Sequence, residues 1–286
     1  EYLEERDPEL ARSARRAYAC FDPYFESEHD YARATALVPT SCEEEVVGVL
    51  RSLRRRQEQF TDDGREAYFD AEQNALIARN AELYYRTMIR GGAQSWNVRD
   101  HHMVETLERL MALHGPDARA IVWEHNTHVG DARYTDMARH GMFNVGQVVR
   151  EKHARAGVVI VGFGSHRGSV IAADEWGAPM EKMRVPEARA GSWDDACHQA
   201  KRGDFLLVFN GADDGGIVGL DEPWDHRAIG VVYDPRQERW GNYVPSLVPR
   251  RYDAFIHVDE SRALRPLHMP IDTSDPEPPE TFPSGM

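Results

Sequence analysis

Cysteine is scarce: Cys20, Cys42 and Cys197 are the only three in 286 residues. They are odd in number and scattered, with no C-x-x-C spacing. That pattern predicts no disulfide framework and no zinc knuckle, and it fits a reducing cytosol. Long apolar runs are lacking as well. No stretch approaches the roughly 20 residues that span a bilayer, and no charged-then-apolar leader opens the chain, whose first residue is Glu1 rather than Met. Positive charge is in deficit, with 34 Lys and Arg against 48 Asp and Glu, a formal net charge of −14. This surplus argues against non-specific nucleic-acid binding and against docking on an anionic membrane.

What is present suits a soluble globular chain, 41% hydrophobic and 29% charged. Asp7-Pro8 reads as a cap followed by proline at the first helical position, opening a helix to Ala19. An aromatic turn, Cys20 to Phe25, follows. Ser41 to Glu44 has the capping-box spacing and opens a helix to about Phe60, with Arg51, Arg54, Arg55 and Arg56 on a solvated face. Asp62-Asp63-Gly64 breaks it. A helix from Arg65 to Ile89 stops at Gly91-Gly92. After Ser95 to Asp100, another runs to His114, with Met103, Val104, Leu107, Leu110 and Met111 at three-to-four spacing.

From residue 119 the pattern alternates. Ala120-Ile-Val-Trp123 reads as a short buried strand, then a helix near 144–152, strands at 158–161 and 169–173, a helix at 192–201, and extended runs at 205–209, 228–233 and 252–258. Such alternation predicts an α/β fold. The proline-rich acidic stretch from Pro270 to Met286 predicts a disordered tail.

Polar residues crowd the end of the first predicted strand: Glu124, His125, Asn126, His128 and Asp131. Ligands bind outside the carboxyl ends of strands in open α/β sheets. The two histidines read either as strand-end groups bonded to backbone or as a site. For a site, Glu124 and Asp131 are placed to orient an imidazole and raise its basicity, while Asn126 and Gly130 suit a tight loop that polarises a carbonyl. Two histidines and a carboxylate also form a common metal-ligand set, although spacing of three in a loop is weak support for one. Arg99 and Asp100 at a helix start, with Arg86 one helix earlier, read as a surface pair and a cap or as site residues. Gly162-Phe-Gly164 before Ser165-His166-Arg167 lets backbone approach a ligand, but it is neither a dinucleotide fingerprint nor a P-loop. Ser165 sits in no G-x-S-x-G elbow. His257 and Glu260 read as structural.

Taken together, Asn80 to Arg86, Ser95 to Asp100, Val122 to Asp131, Asn144 to Gln147, Val161 to Gly168, Ala228 to Tyr233 and Phe255 to Glu260 resemble the erythromycin esterase family, also labelled succinoglycan-biosynthesis-like. Order and spacing fit to about residue 267. The resemblance implies a mixed, mainly parallel sheet flanked by helices, with a long helical segment, about 41–114, packed over the site. It divides the chain into 1–268, mostly helical to 115 and α/β from 116, and a tail at 269–286. It further implies hydrolysis of a carboxylic ester or lactone, a macrolactone in the best-known members, by a histidine-activated water without a required metal or other cofactor. His125 and His128 match the motif's histidines. Arg86, Trp96, Asn97, Arg99, Asp100, Glu124, Asn126, Asp131 and Arg167 match or flank the supporting blocks, with the three arginines as candidates for binding an acidic substrate.

Two departures stand out. The family's Gly-Glu-x-x-His-Gly loop, which carries the base, is not in this sequence, whose first 30 residues match the middle of the family domain. The chain thus resembles the C-terminal two-thirds, and little or no turnover is expected of it alone. Glu124 replaces a small residue. Two alternatives remain: a metal-dependent hydrolase of another substrate, and a catalytically dead small-molecule binding module.

Overall fold

Asp7 accepts a hydrogen bond from the Leu10 N–H (2.9 Å) and Pro8 occupies the first helical turn, so the expected cap forms. The computed structural model describes residues 2–24, 28–37, 41–57, 64–88, 92–153, 157–175, 178–209 and 222–265. The chain separates into two units, residues 1–122 with 137–152 and residues 123–136 with 153–286.

The first unit is helical. Helices α1 (Tyr2–Arg6) and α2 (Pro8–Tyr18) lead into a 3-10 turn (Ala19–Tyr24), then α3 (Glu28–Leu37), α4 (Glu43–Arg55), α5 (Arg65–Met88) and α6 (Ala93–His114). After the one-turn α7 (Asn126–Val129), which belongs to the second unit, the chain returns for α8 (Val145–His153). Val46, Val49, Leu50 and Leu53 recur at helical spacing along α4, and all are buried. Val49, Leu50 and Leu53 pack with Leu10 and Ala14 of α2 and with Tyr68, Ala75 and Leu76 of α5. Arg54 stays on the exposed face expected for it and pairs from there with Glu72, whose other oxygen takes Arg109 (2.7 and 2.5 Å).

Several expectations are corrected here. Cys20 and Cys42 form a disulfide across 22 residues of sequence. Folding of the intervening turn and α3 brings together two cysteines whose spacing carries no motif, so the scattered-cysteine argument for a reducing compartment falls. Cys197 remains a free, buried thiol. Cys42, not Ser41, is the N-cap of α4, and the capping box does not form. Helix α3 carries no sequence signal strong enough to have been read. Gly92, at φ 82°, begins α6 rather than ending α5, so Trp96, Asn97, Arg99 and Asp100 lie inside a helix and not before one. The Asp62-Asp63 break and the tail from Pro270 fall outside the described residues.

The second unit holds a four-stranded sheet in the order β2-β1-β6-β3, where β1 is Val161–Ala172, β2 Glu181–Val185, β3 Phe205–Val208 and β6 Ala254–Ser261. A smaller ribbon pairs β4 (Trp224–Arg227) with β5 (Tyr243–Ser246). Within this sheet β1 and β6 pair in parallel, with antiparallel strands on either side. Strand β1 runs unbroken through the glycine-rich stretch into the run predicted at 169–173, whereas of the strand predicted at 158–161 only Val161 joins it. The predicted run at 228–233 contributes only an isolated bridge, Ala173 to Val232. Helix α9 (Trp193–Gln199), capped by Ser192 at Asp195 N (3.2 Å), packs on β1 and β6. The remaining helices, α10 (Glu238–Gly241) and α11 (Val248–Arg251), are single turns. Ile160, Trp193, Cys197, Val248, Tyr252 and Phe255 make the core.

The strand expected at 120–123 does not form. Residues 116–125 have no ladder partner among the described residues, with Ile121 94% and Trp123 82% exposed. Apolarity alone does not make a strand; a neighbour must satisfy its backbone.

Candidate active site

The turn that carries the histidines is held by side chains pointing at backbone. Asn126 donates from Nδ2 to the carbonyl of Phe163 (2.5 Å) and accepts at Oδ1 from its N–H (3.1 Å). Its carboxamide thus stands in for a neighbouring strand at this point of β1. The carbonyl of Asn126 takes Nη2 of Arg251 (3.0 Å), while the carbonyl of Arg251 accepts from the Asp131 N–H (3.1 Å). Gly130 is required where it stands: a Cβ would lie 2.5 Å from Arg251 Nε and 2.8 Å from the Tyr252 ring.

His125 is the N-cap of α7, its Nδ1 accepting from the Thr127 N–H (3.2 Å). That bond needs an unprotonated Nδ1 and leaves the proton on Nε2, within reach of the Ile229 carbonyl. Desolvation lowers the pKa of the ring, the Ile229 carbonyl opposes, and the nearby His128 and Arg251 charges lower it further. The residue keeps an exposed edge. His125 is therefore a neutral imidazole at pH 7 that a ligand can reach. His128 sits three residues on in the same single turn.

Asp131 bonds to backbone and to an arginine. It is fully buried, caps the 3-10 turn Ala132–Tyr134 at Arg133 N (3.1 Å) and holds the Arg133 guanidinium (3.0 and 2.6 Å). Glu124 is half-buried at the entrance to the turn. Arg167 lies along β1 as an exposed residue paired with Glu260 (3.2 Å) and Glu187 (3.8 Å).

The glycines of Gly162-Phe-Gly164 admit the protein's own side chains and not a ligand. A Cβ on Gly162 would meet Tyr252 at 2.8 Å, and one on Gly164 would meet Asp194 Oδ1 and Phe255 at 2.5 Å. This close packing exposes residues that sequence reasoning missed. His226 on β4 is buried, sits 3.3 Å from the Phe163 carbonyl, and has its pKa brought down to about 3 by desolvation first and by Arg251 second. Asp194 on α9 is buried, accepts from the Arg227 N–H (2.9 Å), and is pushed up to about 6 by desolvation against that bond. Arg251 is buried with Nη1 on Ser246 (2.9 Å). None of the three stands in a sequence motif. The Ser192 cap was the one local hint, since it places Asp194 in the first turn of α9.

In the helical unit, the Trp96 to Asp100 block clasps the chain leading into α8. Trp96 Nε1 donates to the Phe143 carbonyl (2.7 Å), and Asn97 bonds the Gly141 carbonyl (2.9 Å) and the Phe143 N–H (3.1 Å). Asp100, fully buried, accepts from the Val145 N–H (3.2 Å) at the start of α8. It is a cap, but of a different helix from its own. Arg99 lies over the rings of Trp96 and Tyr84 (5.0 and 6.0 Å), and its buried Nε has no hydrogen-bond partner among the described residues. Arg86 is neutralised by Glu82 (2.8 Å) and Glu43 (3.1 Å).

Among the described residues, no group of three or more His, Cys, Asp or Glu is arranged to hold a metal ion. No described helix is long and apolar enough to cross a membrane. A cavity of about 460 Å3 opens among Tyr2, Ala14, Tyr18, Leu53 and Ala75 and contains none of the sequence-predicted site residues.

The fold has solved relatives. A Bacillus cereus protein superposes with a TM-score of 0.70 at 14% identity, covering 91% of this chain and 62% of that one. A succinoglycan biosynthesis protein gives 0.70 at 15% identity, covering 91% and 60%. A mutant erythromycin esterase in its open conformation gives 0.56 at 14%, covering 91% and 66%. The chain thus spans about three-fifths of the length of the first two. At these identities the likeness establishes the fold. The sequence model of the family described as erythromycin esterase matches residues 1–261, nearly the whole chain, and the protein belongs to that family.

Proposed function

We propose that this chain is the carbonyl-binding part of a hydrolase of carboxylic esters or lactones. Family membership supports the reaction class. The observation that carries the site assignment is His125: a reachable imidazole kept neutral, with Nδ1 occupied by the Thr127 N–H, on a turn clamped by Arg251 and Asn126. The neutral Nε2–H, which faces the Ile229 carbonyl, is a donor suited to a substrate carbonyl oxygen that displaces that bond and gains charge as water attacks. His128 lies three residues on in the same turn and is the second candidate. The water-activating base belongs to the Gly-Glu-x-x-His-Gly loop that the resemblance associates with the family and that this sequence does not contain. Turnover by the chain alone is therefore low, and a binding module that retains the pocket is the second reading.

The test is hydrolysis of p-nitrophenyl acetate, a simple δ-lactone and a 14-membered macrolactone by the chain, His125→Ala and His128→Ala. Any rate above buffer falls at least tenfold in both variants. A rate indifferent to both substitutions removes the assignment. Thermal stabilisation by a lactone without product, lost in His125→Ala, selects the binding module.

A further inference from the structure

In the helical unit Tyr31 is 3% exposed and joins four elements. Its ring meets Phe21 and Tyr24 edge-on at 5.5 and 5.2 Å. Its hydroxyl accepts from the Cys42 N–H (2.9 Å) and donates to Glu82 Oε1 (2.8 Å). The same carboxylate receives Nε and Nη2 of Arg86 (2.8 and 3.3 Å). Cys42 in turn is bonded to Cys20, the neighbour of Phe21. One covalent link and three hydrogen-bonded groups therefore run from the 3-10 turn through α3 and α4 to Arg86 on α5.

The two sulfurs of the bridge are not equivalent. Cys42 is 1% exposed, whereas Cys20 is half-buried, so an external thiolate reaches the Cys20 sulfur first. Attack there forms a new S–S bond to Cys20 and sends the electron pair of the old bond to Cys42 Sγ. Cys42 is the N-cap of the 13-residue α4, and its side chain makes no capping hydrogen bond. The leaving thiolate would form beside the unsatisfied N–H groups of that helix, which stabilise it. Glu43, Glu44 and Glu45 oppose this from the first turn, and Arg86 offsets the nearest of them at 3.1 Å. A stabilised leaving thiolate makes a disulfide quick to exchange.

We propose that Cys20–Cys42 is a reversible redox brace that, when closed, holds Tyr31 and Glu82 so that Arg86 keeps one orientation. Closure converts two protein thiols and the disulfide of a partner, a thiol–disulfide oxidoreductase or a small-molecule disulfide, into the protein disulfide and two partner thiols. Opening is the same exchange in reverse, driven by a dithiol. The brace stands on the helical unit's own contacts. It is independent of the hydrolase reading, so the test measures no catalysis.

The full chain is equilibrated across a series of glutathione redox buffers. One portion is acid-quenched, denatured and labelled with N-ethylmaleimide, and the labels are counted by mass. In the other portion the Arg86 Nε–Hε resonance, assigned with Arg86→Lys, is recorded. The expected count is one label (Cys197) at the oxidising end and three at the reducing end. The Arg86 resonance moves between two positions with the same midpoint as the label count. Three labels throughout, one label throughout, or a stationary Arg86 resonance each overturns the proposal. Cys20→Ser holds the Arg86 resonance at its reduced position in every buffer, and Cys197→Ser leaves its movement unchanged. Because the wild-type titration contains both end states, the proposal stays testable even where Cys20→Ser fails to fold.

Discussion

Arg251 grips Asn126 from one side and Asp131 from the other: its Nη2 donates to the first residue's carbonyl at 3.0 Å and its own carbonyl accepts the second residue's N–H at 3.1 Å. The four residues between them carry His128 and leave no room beside the guanidinium. Gly130→Ala puts a methyl carbon 2.5 Å from Arg251 Nε and 2.9 Å from the Asn126 carbonyl. Overpacking of this kind costs about 1–3 kcal/mol, and the upper end is expected because one neighbour is backbone. Gly48→Ala, inside α4 with nothing within 4 Å, instead gains about 0.5–1 kcal/mol. Urea midpoints at constant m measure both, and equal shifts of the same sign would show the clamp to be loose.

Asn126 makes a second prediction. Its carboxamide satisfies both the N–H and the carbonyl of Phe163 on an otherwise open stretch of β1. Asn126→Asp keeps the acceptor and turns the donor into a second acceptor facing a carbonyl. Loss of this exposed bond plus that repulsion costs about 1 kcal/mol. Asn126→Ala removes the acceptor as well, and amide exchange at Phe163 then accelerates at least tenfold, read by hydrogen–deuterium exchange. Unchanged protection there rules out the strand-mimic role.

Much of the helical unit was legible because helix signals are local: the Asp7 cap and the α4 stripe each rest on residues one or two turns apart. The sheet was not. Gly162 and Gly164 look like a break or a ligand cradle in sequence, yet they sit in mid-strand because Tyr252, Phe255 and Asp194 occupy the space a Cβ would take. Ala120 to Trp123 has strand composition but no ladder, and no local pattern reports a missing partner. His125 and His128 were found by crowding and resemblance. His226, Asp194 and Arg251 come from three distant elements and meet only in the fold.

Asp100 distinguishes a clasp from a site. Its carboxylate is fully buried and accepts from the Val145 N–H, while Asn97 ties the preceding residues. Asp100→Ala strands that N–H at the start of α8 and costs about 2 kcal/mol. Asn97→Ala costs about 1 kcal/mol. Because both hold one segment, the double variant loses less than the sum of the two. A double-mutant cycle by chemical denaturation checks this; strict additivity shows that the two residues act separately.

The pH dependence of stability pits two buried groups against each other. His226 has a folded pKa near 3 against an ordinary value of 6.5, so the unfolded chain binds its proton first. Its contribution is whole above about pH 6.5 and drains away as pH falls toward 3. Asp194 is the reverse, with a folded pKa near 6 against 3.8. The folded chain holds that proton more tightly, so its contribution is whole below pH 3.8 and is lost as pH rises through about 6. Between pH 4 and 6 the two slopes, each up to about 1.4 kcal/mol per pH unit, have opposite signs. Wild-type stability is therefore flatter in that window than either group alone would make it. Asp194→Asn removes the falling slope and leaves that of His226, so this variant loses stability on acidification from pH 6 to 4 faster than wild type. His226→Phe removes the other slope and gains stability, relative to its own value at pH 6, over the same interval. Urea denaturation at half-unit steps from pH 4 to 7 tests the pair, and parallel curves for wild type and Asp194→Asn would show that Asp194 titrates at its ordinary value.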